Sequence, residues 1–163
     1  MVKEPLTEYE REIVKFVETD GCFVVSVFDP DGEEPPFSYS VGFTKSLRQP
    51  EVILYGLPSK TAHILINDLY ALCVSGLRLA DWAVLDHLVK DYRCIARSVD
   101  ESWITQRMFA SALWYHRSQM DRGLQDIVQI VWPDAAGVFP WEEGCADWVI
   151  ADQPSLYEPR LAA

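Results

Sequence analysis

Gln125–Gly144 reads QDIVQIVWPDAAGVFPWEEG, and its alternation of strand, turn and proline sets the frame for the rest of the chain. Ile127-Val128-Gln129-Ile130-Val131 is a short apolar strand that breaks at Trp132-Pro133-Asp134. A turn at Gly137 follows, then Val138-Phe139 and the polar close Pro140-Trp141-Glu142-Glu143-Gly144. Trp132-Pro133 and Pro140-Trp141, the same pair in opposite order, bracket one turn. Each proline fixes its own φ and lacks an N–H, so neither can sit inside a sheet ladder. The residue before each is held extended. The loop is therefore stiff, aromatic and acidic, which suits a recognition surface and equally suits a lid over a core.

Upstream, Thr7-Glu8-Tyr9-Glu10 has the form of a capping box, and Tyr9, Ile13, Phe16 and Val17 share one helical face up to a stop at Gly21. Cys22–Phe28 is apolar on both faces apart from Ser26, the pattern of a central strand. Asp29-Pro30-Asp31-Gly32 is a turn. Phe37, Tyr39, Val41 and Phe43 then alternate with Ser38, Ser40 and Gly42, giving a large face for the core and a small face on which a helix or a ligand can approach the backbone. Lys45–Gln49 reads as a polar connection and Val52–Tyr55 as a strand. Ser59 is the expected N-cap of a helix carrying Ala62, Leu65, Ile66, Leu69 and Cys73 on its buried stripe and ending at Gly76. Arg78–Asp86 is less regular, with Trp82 and Leu85 covering the core edge. Tyr92–Val99 reads as a strand, and Asp100 as the cap of a helix through Trp103, Met108, Phe109, Ala112 and Leu113. Ala146–Ala163 shows little periodicity and is expected to lie over the body as an irregular tail.

This order of elements, without internal repeats, predicts an α+β fold over residues 1–163 as one domain, with a mixed or mostly antiparallel sheet and about three packed helices. The length suffices for one real core. A content of 49% hydrophobic and 12% aromatic residues excludes a disordered chain. No apolar run is long enough to span a membrane, and the N-terminus lacks the pattern of a signal peptide, so the expected location is cytoplasmic. There Cys22, Cys73, Cys94 and Cys145 would be reduced thiols. Fourteen basic against twenty-five acidic side chains give a net charge of −11. With no basic cluster, that field repels nucleic acid and anionic membrane, and leaves a basic protein or a small molecule as partner.

Residues able to carry chemistry are few. There is no glycine-rich phosphate loop and no nucleophile elbow. His63, His87 and His116 are far apart without ligand spacing, so no metal site is expected, and each reads as a helix-surface or helix-end residue. Asp134 and Glu142 flank the stiff turn beside Trp132 and Trp141, while Arg48 and Glu51 flank Pro50. If these loops met over the Ser38, Ser40 and Gly42 face, with Tyr39 among the binding residues, they would form an aromatic-walled pocket with carboxylates at its rim. Across the turn, Asp134 and Glu142 would repel one another and raise the proton affinity of at least one. The alternative is that Asp134 caps its own turn and the two tryptophans cover the core.

Four segments in this order, PPFSYSVGF (35–43), RQPEVILYGLPS (48–59), the helix with Ile66-Asn67-Asp68-Leu69, and QIVWPD…FPWEEG with the later Gln153-Pro154, resemble the bacterial family known as domain of unknown function 4262. The resemblance spans about residues 21–156. It implies a small cytosolic bacterial protein and no particular reaction. Where members commonly show His before the Pro-Glu of the second segment, this chain has Gln49.

Two functions follow as expectations. The first is a non-catalytic binding or protein-interaction domain with an acidic, aromatic recognition loop, for which immunity- or antitoxin-like action on a basic partner is one form. The second is a cofactor-dependent enzyme. Flavin is its best candidate, by analogy of fold with split-barrel flavin reductases.

Overall fold

A computed structural model describes residues 4–161. Its elements are α1 (Glu8–Asp20), β1 (Phe23–Val27), β2 (Phe37–Val41), α2 (Phe43–Leu47), β3 (Glu51–Tyr55), α3 (Ser59–Val74), β4 (Val84–Val89) and β5 (Tyr92–Ser98). A 3-10 turn (Glu101–Trp103), α4 (Gln106–Gln119), β6 (Ile127–Val131) and α5 (Asp147–Asp152) complete the chain. The six strands form one sheet in the order β1-β2-β3-β6-β5-β4. Only the β3–β6 pair is parallel. The fold is α+β with a mixed sheet and three long helices, as the sequence predicts. No helix among the described residues is long and apolar enough to cross a membrane.

Every residue of β3 and of β6 is buried, as expected for strands covered on both faces. On one face α3 supplies Ile66, Leu69 and Cys73 against Val52, Leu54, Val128 and Ile130. On the other, Ile13 and Val17 of α1 and Phe109, Ala112 and Leu113 of α4 pack on Tyr39, Val41 and Ile53. α1 begins with the expected capping box and ends at Gly21 in the left-handed region.

Several expectations need correction. The strand at Cys22–Phe28 lies at the sheet edge, not the centre. It is apolar on both faces because α1 stacks Tyr9 and Phe16 on Phe23 while Val24 meets the α3 side. Phe43 does not continue the Tyr39–Val41 face. Gly42, at φ 118°, turns the chain so that Phe43 opens α2 and packs on Tyr70 in the opposite core. α2 itself occupies what reads as a polar connection. Ser59 is the first residue of α3 and Pro58 its cap position, a proline being suited to helix starts. Asp100 caps only the 3-10 turn, and Thr105 caps α4. The segment read as irregular runs into β4 at Val84, and Leu85 is buried there, whereas Trp82 is 51% exposed and covers no core. The tail read as irregular carries α5.

Three buried glutamines hold segments that no ladder reaches. Gln129 donates to the Pro154 carbonyl (2.9 Å) and accepts from Leu156 N (3.0 Å). Gln153 donates to the Trp132 carbonyl (2.8 Å) and accepts from Trp132 N (3.0 Å). Gln49 treats the 77–79 segment likewise, donating to the Leu77 carbonyl and accepting from Leu79 N. A primary amide offers a donor and an acceptor side by side, as an extended peptide does.

Candidate functional site

The predicted site residues do not converge. Glu51 opens β3 in register with Ile127 at the start of β6, whereas Trp132 follows the end of β6. Four or five strand residues, roughly 13–16 Å at about 3.3 Å each, separate them. Tyr39 lies between, buried against Phe109, with its hydroxyl accepting from Ser111 N (3.2 Å). Arg48 closes α2 in the left-handed region and points to solvent.

Glu51 is 1% exposed and lies at the start of α2. Its carboxylate accepts from Gly42 N, Phe43 N and Thr44 N at 3.2, 3.0 and 3.3 Å. The Ser40 hydroxyl and His116 Nε2 each reach it at 2.8 Å. This is a saturated acceptor that fixes α2, α4 and β2 to one point. His116, read from sequence as a helix-end residue, is in the last turn of α4 but is 2% exposed, and its Nδ1 has no partner among the described residues. Sequence reading missed the pair because its partners are 65 positions apart. His63 is on the exposed face of α3 as expected. His87 is on β4, not a helix, and its side chain lies outside the described residues.

At the other end of the sheet, the stiff loop binds its own polar groups. Asp134 accepts from Ala136 N, Val138 N and Ala146 N at 2.9, 2.9 and 3.0 Å. The Val138 N–H leads in holding its carboxyl below the ordinary aspartate range, with Ala146 and Ala136 assisting. The rise expected from repulsion by Glu142 is therefore not what Asp134 shows: backbone N–H groups outweigh the burial that would raise its proton affinity. Glu142 accepts from Phe139 N at 2.9 Å and remains exposed. Trp132 donates to the Tyr55 carbonyl (2.9 Å) and packs on Trp148. Trp141 stacks on Phe139 at 5.0 Å. Beside them lies an open hollow of about 420 Å³, lined by Phe139, Trp141 and Glu142 with Tyr92, Arg93 and Ile95 of β5.

Asp134 gives a test of this bracing. Its proton affinity is lower folded than unfolded, so its stabilisation is present above the ordinary aspartate range and is lost as pH falls through the folded value. Asp134→Asn is expected to melt earlier than the parent at neutral pH, with the gap narrowing on acidification. Melts of the two proteins that run parallel at every pH would remove the carboxylate from this role.

The small face of β2 is filled. Ser38 and Ser40 are buried, and a Cβ at Gly42 would meet the Gly21 carbonyl at 2.7 Å. Burial pushes the thiols of Cys22 and Cys94 up to about 12 and that of Cys73 up to about 11, far from the depressed values of nucleophilic cysteines. All four cysteines are free and buried.

A larger open groove lies elsewhere, between the β1–β2 turn and the start of α4. It encloses about 700 Å³, with Phe37, Tyr55, Trp103 and Met108 among its lining residues. Asp31, Glu33 and Glu34 stand exposed at its rim. Asp29 fixes that rim by accepting from the backbone N–H groups of all three, at 3.0, 3.1 and 3.1 Å. Phe28, 72% exposed, adjoins it. The sequence signal was the acidic turn Asp29–Glu34, which reads only as a connection until Trp103 and Met108 are brought opposite it.

The family model described as a domain of unknown function, DUF4262, matches residues 16–146. The match begins inside α1, earlier than the resemblance in motifs, and ends before α5. No curated protein and no solved structure matches the chain.

Proposed function

We propose that the chain, which belongs to the DUF4262 family, is a non-catalytic protein-interaction domain that takes a basic segment of a partner protein. The observation that carries this reading is the 700 Å³ groove with aromatic lining, in which the carboxylates of Asp29, Asp31, Glu33 and Glu34 outnumber the two cations, Arg107 and Arg160. Its rim is braced by Asp29 before any partner arrives, which lowers the ordering cost of association. The apolar lining supplies affinity, and the carboxylates supply rate and salt dependence, since each exposed ion pair adds only about 0–1 kcal/mol. The net charge of −11 extends the same field over the molecule.

Glu51 and Asp134, the most chemically suggestive carboxylates, are engaged by the backbone, which favours binding over acid–base work. The filled small face of β2 leaves the flavin alternative without a supporting observation. A bacterial cytoplasm is the location in keeping with this reading, since four unpaired thiols persist where disulfides are reduced.

Short peptides alternating lysine with leucine test the reading by calorimetry. Reversing Asp31, Glu33 and Glu34 to lysine is expected to weaken peptide binding about tenfold or more, a shift of about 1.4 kcal/mol. Reversal of Glu142 and Glu143, on the loop across the sheet end, is the control and should have much the smaller effect. Equal loss in both variants would mean that general charge attraction, not the groove, binds the peptide.

A further inference from the structure

A second feature owes nothing to the groove or to its carboxylates. Trp82 and Trp141 meet at 82° with ring centroids 5.3 Å apart, and Trp141 meets Tyr157 at 88° and 5.6 Å. Trp82 and Tyr157 thus each stand nearly perpendicular to Trp141, and the three rings make a box. Arg97 of β5 fills it, its Cζ lying 3.7 Å from the Trp82 ring centre, 4.3 Å from that of Tyr157 and 5.2 Å from that of Trp141. Asp81 holds the guanidinium from outside the rings, Nε to Oδ1 at 3.0 Å.

Ring faces carry the negative end of the aromatic quadrupole, and several of them around one cation form the arrangement that recognises quaternary ammonium groups. An arginine already paired with Asp81 does not require three of them. Trp82 is half exposed and buries little in the core, yet it adopts φ 70°. That conformation is strained for a bulky side chain and persists only where its surroundings impose it. What the strain achieves here is the placement of an indole over a positive charge.

We propose that the Trp82–Trp141–Tyr157 box is a binding site for a methylated ammonium group and that Arg97 occupies it as an internal surrogate. A ligand must then displace Arg97, and its apparent affinity is reduced by the fraction of molecules in which the box stands open. Removing the surrogate's charge while keeping a donor for Asp81 removes that penalty.

The test is a titration of wild type and Arg97→Gln with tetramethylammonium, followed by tryptophan fluorescence, with the neutral tert-butyl analogue of choline as control. Arg97→Gln is expected to bind the cation at least about tenfold more tightly than wild type, and neither protein should take the neutral analogue. Adding Trp82→Gly, which suits the backbone at that position, should abolish the gain. Choline and a peptide bearing trimethyl-lysine then distinguish a small-molecule from a protein source, according to which binds more tightly. A folded Arg97→Gln that binds no better than wild type, or that takes the neutral analogue equally, overturns the proposal. Should that variant fail to fold, the wild-type Nε–H resonance of Arg97 decides: choline must shift it, and a resonance unmoved at high choline overturns the site.

Discussion

Glu51→Ala is expected to lower the unfolding free energy by about 3–5 kcal/mol, the range for breaking a buried ionic or charge-assisted pair from one side. The carboxylate is 1% exposed and accepts from three backbone N–H groups, one serine and one histidine. Truncation leaves those donors facing an apolar methyl group. Each buried donor without a partner carries a desolvation cost of roughly 1–3 kcal/mol, partly relieved if water enters. Glu51→Gln should fall between Ala and the parent, because an amide keeps one acceptor oxygen but turns an NH2 toward groups that themselves donate. Chemical denaturation with an unchanged slope is the measurement. An Ala variant as stable as the parent would show that the donors find water or each other, and that α2 is not anchored here.

The second large effect is expected at the two tryptophans of the stiff loop. Trp132→Ala and Trp141→Ala should each cost about 3 kcal/mol, the lower end for tryptophan truncation because both rings remain partly exposed. They fail differently. Without Trp132, the Tyr55 carbonyl loses its indole donor and Gly56 loses the ring packed close against its backbone. Without Trp141, Phe139, Trp82 and Tyr157 lose the ring they share. Thermal melts of both variants that overlay the parent would mean that neither ring braces the fold.

Strand β6 and the loop after it were legible because proline, glycine and apolar runs act locally. The same holds for the α1 cap and for the stripe of α3. What the sequence hid depends on pairing at long range. Edge and central strands carry the same apolar pattern when helices cover both faces, so the position of β1 could not be read. α2 escaped notice because a carboxylate eight residues beyond its first residue, Phe43, supplies what a local cap would have supplied. The candidate site residues lie apart for a related reason. Arg48–Glu51 and Trp132–Glu142 each join a proline to a carboxylate, and only the parallel register of β3 and β6 puts them at opposite ends of the sheet. The groove and the aromatic box are assembled from turns and strand faces that no periodicity marks as partners.

The three glutamine clamps carry a consequence for hydrogen exchange. Backbone amides outside helices and strands ordinarily exchange through local opening of low free energy. Leu79 N, Trp132 N and Leu156 N, each bonded to a glutamine oxygen, should instead exchange as slowly as ladder amides, since releasing any one also strands a buried side-chain amide. Protected protons in these irregular segments would show that they open with the sheet as one cooperative unit, and that the C-terminal segment is part of the folding core and not a late addition to it.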